Sequence, residues 1–166
     1  QRQMCIRDSY NYLQCSRPPW TDDHFAAYSS SYIDVPNTPL YPFGFGLSYT
    51  TFDYGEPVLT SDIISDSKPV RISVAVTNTG KREGVETVQL YIHDCLASLA
   101  RPVKELKNYQ RVTLKPGETK EVEFTLTVED LKFYNADLKR VYEPGDFEIM
   151  VGPDSGHLNV KRIKGI

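Results

Sequence analysis

Any chemistry in this chain would have to come from its carboxylates, histidines, thiols or aromatic rings. Three acidic pairs stand close in sequence: Asp22-Asp23, Glu83/Glu86 and Glu129-Asp130. Cleaving a glycosidic bond takes two carboxyl groups facing each other, one shielded so that it stays protonated. Each pair falls in a stretch that reads as polar loop or turn, so all three are expected to be solvated surface charge. His24, His93 and His157 are far apart, and no H-E-x-x-H spacing occurs, so spacing gives no metal signature. His93-Asp94 reads as a loop-edge pair. Cys5, Cys15 and Cys95 include no C-x-x-C and leave an odd thiol. They are expected to be buried or incidental, with a Cys15–Cys95 bridge unsupported.

Two glycine patterns fail on inspection. Gly46-Leu47-Ser48-Tyr49-Thr50 begins like a nucleophile elbow, but Thr50 stands where the last glycine should be. Gly44-Phe45-Gly46 lacks the third glycine and the following helix of a dinucleotide site. No cofactor and no metal are therefore expected. Lys104, Lys107 and Arg111, with Glu105 among them, read as a solvated face. Trp20, Tyr28, Tyr32 and Tyr41 offer flat rings with polar handles, suited to stacking on a sugar. The competing reading is that they cover a partner domain. It is preferred because their segment has no core of its own.

The elements that would position these groups follow from composition and periodicity. The chain has 166 residues, 40% hydrophobic and 25% charged, with a net charge of −3. That suits one ordinary globular domain plus a tail. It disfavours nucleic acid and anionic membrane as partners, because both need a concentrated basic face. No apolar run approaches the length of a membrane span. No secretory h-region is visible, which in an internal fragment says nothing about export.

Residues 1–9 have no period and read as a non-native tail. Residues 10–40 are aromatic and irregular, broken by Arg17-Pro18-Pro19 and Pro36-Asn37-Thr38-Pro39. Residues 41–56 form a joint that carries Phe43, Phe45, Leu47, Tyr49 and Phe52 alongside Pro42, Gly44 and Gly46. A flexible linker would be Gly/Ser-rich with little to bury, so this joint is expected to pack.

From residue 57 onward the pattern is that of strands. Val70, Ile72, Val74 and Val76 alternate with polar or small residues. Val88, Leu90 and Ile92 share one face of a strand over 85–93. A longer, kinked strand pair is expected over 103–114. Lys115-Pro116-Gly117-Glu118 reads as a type II turn. Val122, Phe124, Leu126 and Val128 alternate next, and a helical or 3₁₀ turn is expected over 129–134. Strands follow over 140–142, 147–151 and 157–163, the last with Leu158, Val160 and Ile163 taken as its apolar set. About seven short strands with regular turns give an all-β fold, an antiparallel sandwich of the immunoglobulin or fibronectin type III kind.

The joint, Tyr41-Pro42-Phe43-Gly44-Phe45-Gly46-Leu47-Ser48-Tyr49-Thr50-Thr51-Phe52, resembles the P-F-G-[YHF]-G-L-S-Y-T-x-F signature of glycoside hydrolase family 3. Tyr10 to Leu13 with Arg17-Pro18 resembles the run that closes that family's α/β domain, and four further blocks are similar to the family, in order. They are Tyr32 to Leu40, Val76 to Gly80 with Gly84 to Tyr91, Arg101 to Lys107, and Glu143 to Gly152. The resemblance implies that 10–40 is the end of an α/β catalytic domain and 57–166 a fibronectin type III-like domain. It implies a parent enzyme that is a retaining exo-acting β-glucosidase or β-xylosidase, periplasmic or secreted, acting on a β-linked oligosaccharide. The family's catalytic Asp and Glu precede residue 10, so no catalytic residue is carried over and the fragment alone is expected to be inactive. Its expected partners are its own missing catalytic domains. Trp20, Tyr28 and Tyr32 are the candidate substrate contacts. The alternative is a carbohydrate-binding or cell-surface module without catalysis. Phe43, Phe45 and Tyr49 are expected to divide between the sandwich and a surface that this fragment lacks.

Overall fold

The computed structural model describes residues 41–99 and 101–166. The expectations for 1–9 and 10–40, including Trp20, Tyr28, Tyr32, Asp22, Asp23, His24, Cys5 and Cys15, lie outside the described residues.

Alternation decides the architecture. In β4 (Val70–Asn78) the four apolar residues at every second position are fully buried, and the residues between them are not. β7 (Thr119–Leu126) pairs antiparallel with β4, setting Phe124 opposite Ile72 and Val122 opposite Val74. β1 (Phe52–Tyr54) and β2 (Val58–Leu59) share the other edge of β4. The second sheet runs β3 (Ile63–Ile64), β11 (His157–Gly165), β10 (Asp146–Asp154), β5 (Gly84–Asp94), β6 (Glu105–Leu114). All its pairings are antiparallel except β3 with β11. Val88, Leu90 and Ile92 of β5 and Phe147, Ile149 and Val151 of β10 complete the apolar cluster between the sheets. Fully burying one such side chain contributes about 1.5–3 kcal/mol, which makes this cluster the main source of stability.

The fold is the expected all-β sandwich, with local corrections. The sheet starts before residue 57, because β1 lies inside the joint. Strands of two or three residues, such as β1 to β3, are too short to show a period. The expected strand pair over 103–114 is the single strand β6. Its kink is a bulge: Leu90 faces Asn108 while Tyr91 faces Leu106, so Lys107 is the extra residue. The Pro116-Gly117 turn forms as expected, with Glu118 N–H donating to the Lys115 carbonyl at 2.9 Å.

The helical turn comes one residue early, as α1 (Val128–Leu131), where the Asp130 carboxylate accepts from the Thr127 N–H at 2.8 Å. β8 (Phe133–Tyr134) and β9 (Arg140–Val141) then form a small hairpin. In β11, Val160 does not point inward: it pairs with Met150, on the face away from the core, and is exposed. The reason is parity, since positions 160 and 163 of one strand face opposite ways.

Candidate functional site

The joint is fixed to the sandwich at two places and open between them. At the first, Pro42 to Phe45 form a tight turn, with Phe45 N–H donating to the Pro42 carbonyl at 3.0 Å. Gly44 has φ +84°, which a side chain rarely adopts. A Cβ there would also lie 2.2 Å from Oε1 of Gln89. Gln89 is buried on the outer face of β5. Its amide donates to the Gly44 carbonyl at 3.2 Å and to the Pro153 carbonyl, and accepts from the Tyr91 hydroxyl at 2.6 Å. The loop between β10 and β11 closes this clamp. Ser155 N–H donates to the Phe43 carbonyl at 2.9 Å, and the Lys104 ammonium donates to the Ser155 carbonyl. Burial pulls the Lys104 pKa below its usual value.

The second anchor is Asn78, which has no exposed surface. Its Oδ1 accepts from the Thr50 hydroxyl at 2.7 Å and from Gly80 N–H at 3.0 Å. Its Nδ2 donates to the Arg82 carbonyl at 2.8 Å and the Leu114 carbonyl at 2.9 Å. The amide's two donors and its acceptor oxygen are all engaged, so one side chain ties the joint to the β4–β5 turn and the end of β6. Thr79 N–H donates to the Thr51 carbonyl at 2.9 Å and leads the chain into β1.

Between the anchors the side chains turn outward. Leu47 and Tyr49 are each 92% exposed, and Tyr41, Phe43 and Phe45 are also exposed. The Tyr41 and Phe45 rings pack on each other, centroids 5.1 Å apart. This agrees with the expectation that some of Phe43, Phe45 and Tyr49 are more exposed than their apolarity warrants, and corrects the expectation that the joint packs: all three are exposed, because its contacts with the sandwich run through the backbone of Phe43 and Gly44 and the Thr50 hydroxyl rather than through these rings.

Glu86, Asp154, Glu129 and Asp130 are structurally engaged. Glu86 is half-buried on β5, not in a solvated loop as its sequence context suggested. Its carboxylate accepts from the Tyr54 hydroxyl at 2.7 Å. Burial pushes its pKa up, and the nearby Asp154 adds to the rise. That is the environment of a general acid, but Tyr54 caps the carboxyl. Asp154 in turn is buried and accepts from Gly156 N–H at 2.8 Å and His157 N–H at 3.0 Å, holding the β10–β11 turn. Glu129 pairs with Lys132 and Arg140, and Asp130 caps α1.

Residues 86–155 match the fibronectin type III-like domain family. The chain is 46% identical over 149 residues to the periplasmic β-glucosidase of Salmonella typhimurium, covering 90% of this chain and 19% of that protein. It is 48% identical over 141 residues to a β-xylosidase of Formosa agariphila, covering 85% of this chain and 20% of that one. The crystal structure of a Listeria innocua β-glucosidase in complex with glucose superimposes with a TM-score of 0.86 at 37% identity, covering 98% of this chain and 22% of that one. This chain carries a fibronectin type III-like domain and is similar to one region of β-glucosidases and β-xylosidases of the glycoside hydrolase family 3 type. It spans about a fifth of the length of the relatives it matches.

The family 3 blocks recognised in the sequence now have a structural reading. Asn78, Gln89, Tyr91 and Lys104 are the groups that grip the joint or brace those that do. Sequence reasoning missed this for Gln89, which sits at a polar position of an alternating strand. It also misplaced Lys104 and Lys107, which are half-buried: Lys107 pairs with Glu105 at 2.7 Å, and only Arg111 is exposed. Cys95 is an exposed free thiol, not a buried one.

Proposed function

We propose that this chain is the C-terminal, non-catalytic part of a retaining exo-acting β-glycosidase of family 3, a β-glucosidase or β-xylosidase that hydrolyses O-glycosyl bonds of β-linked oligosaccharides. In this reading residues 10–40 close the α/β catalytic domain, 41–56 are the seam, and the sandwich is a docking domain. The observation that carries it is the joint, whose backbone is held by Gln89 and Ser155 and whose Thr50 hydroxyl is held by Asn78, while Leu47 and Tyr49 stand in solvent. Locking a loop costs conformational entropy, and here the ordered loop presents a row of apolar side chains to the outside. A catalytic domain seated on that row accounts for both halves of the arrangement. The similarity to the periplasmic β-glucosidase of Salmonella supports a periplasmic or secreted location. Trp20, Tyr28 and Tyr32 belong to the segment that would approach the active-site mouth. They remain the candidate substrate contacts.

The test is direct. The isolated 166-residue chain should release nothing from an aryl β-glucoside or β-xyloside, and should not be retained by insoluble glucan or xylan. The enzyme encoded by the extended reading frame should hydrolyse one of the two glycosides. Hydrolysis by the isolated chain would overturn the non-catalytic assignment, and tight retention would favour a carbohydrate-binding module.

A further inference from the structure

Spacing along the chain gives no metal signature, but the pairing of β5 with β10 builds a mixed donor cluster. His93 and Glu148 are Cα partners across the two strands. Their side chains leave the same face of the sheet, and His93 Nδ1 lies 3.4 Å from Oε2 of Glu148. Cys95 follows β5 directly, and its backbone is fixed by Cys95 N–H donating to the Asp146 carbonyl at 3.0 Å. The imidazole, thiol and carboxylate ligand atoms all lie within 4.8 Å of one another. We propose that His93, Cys95 and Glu148 form a binding site for a borderline-soft divalent cation, Zn²⁺ foremost, on the outer face of the sandwich.

Four observations agree with that. Zinc bound tetrahedrally at about 2.0–2.3 Å sets its ligand atoms about 3.3–3.8 Å apart. The His93–Glu148 pair is already at that spacing, and the Cys95 sulfur lies within 4.8 Å of both. The donor set is one nitrogen, one sulfur and one oxygen, which suits zinc and leaves calcium and magnesium poorly served. The Arg162 guanidinium holds the other oxygen of Glu148, with Nε at 3.1 Å and Nη2 at 2.9 Å from Oε1. It fixes the carboxylate with Oε2 turned to His93, the kind of outer support that metal ligands use. Cys95 and Arg162 also border an open depression of about 380 Å³, so an ion can reach the thiol from solvent. Cys95 contributes as the thiolate, and its proton leaves to solvent when the ion binds.

The experiment uses the 166-residue chain carrying Cys5→Ser and Cys15→Ser, so that Cys95 is its one remaining thiol. Co²⁺ is titrated in as a spectroscopic stand-in, and Zn²⁺ is then added in competition. The proposal expects one equivalent of Co²⁺ with a thiolate-to-cobalt charge-transfer band, displaced by Zn²⁺. It expects no band in the further Cys95→Ser variant, and affinity reduced at least about tenfold by His93→Ala or Glu148→Gln. His157→Ala, remote from the cluster, should change nothing. Absence of the band would overturn the site. So would a band unaffected by both His93→Ala and Glu148→Gln.

Discussion

On one face of β5, Val88, Leu90 and Ile92 belong to the apolar cluster between the sheets. On the other, Gln89 and Tyr91 are just as inaccessible to water, yet they meet backbone carbonyls and each other. The first face is closed by the sandwich's own strands. The second is covered by the joint, which arrives from outside the sheet, and by the end of β10 with the turn that follows it. A buried polar side chain costs stability unless it is hydrogen-bonded, and one of the three hydrogen bonds of Gln89 exists only while the joint is in place. The inner face therefore specifies that the chain folds, and the outer face specifies where the joint lies and which of its side chains remain outside.

This contrast can be broken in order of size. Phe124→Ala, on the inner side, should cost about 3–5 kcal/mol in chemical denaturation, and Leu90→Ala about 2–5 kcal/mol. Both should unfold sandwich and joint together. On the outer side, Gln89→Ala should cost about 1–3 kcal/mol by taking away the amide donor of the Gly44 and Pro153 carbonyls and one acceptor of the Tyr91 hydroxyl. Gly44→Ala should cost about 1–3 kcal/mol through its positive φ. Because these two act on one contact, the double variant should cost less than the sum. Limited proteolysis should cut within 41–47 in either outer variant before the sandwich opens. If Gln89→Ala left that segment as protected as in the parent chain, the clamp would be wrong.

A smaller effect separates the faces by pH. Glu86 has its pKa raised by burial, so protonation favours the folded chain. The stability this gives is full below the unfolded carboxylate pKa and is lost as pH rises through the folded value. Glu86→Gln keeps an acceptor for Tyr54 and cannot ionise. It should flatten this part of the pH–stability curve and gain on the parent chain as pH approaches neutrality. Thermal melts between acid and neutral pH would show it, and an unchanged slope would count against it.

Much of the inner face was readable in advance. Alternation in 70–78 and 121–128 names the buried residues because each strand has one apolar side, and the Pro116-Gly117 pair names its turn. The outer face was not readable, since burial of Gln89, Tyr91 and Lys104 depends on a segment tens of residues away. Periodicity compares only near neighbours. The family resemblance marked these residues as a pattern without giving the reason, which is the grip on Gly44, Ser155 and Thr50. The meeting of His93 and Cys95 with Glu148 was hidden for the same cause: strand register brings them together across more than fifty positions.

The central claim is that the joint is held by the sandwich in order to face something else. Its most direct measurement is a paired melt of Leu47→Asp/Tyr49→Asp, once in the 166-residue chain and once in the enzyme of the extended reading frame. In the isolated chain these exposed positions should change stability by no more than about 0.5 kcal/mol. In the whole enzyme the same pair should lower the melting temperature and the glycosidase activity together, because two charges would be pressed into an apolar interface. No loss in the whole enzyme, or an equal loss in both, would contradict the account.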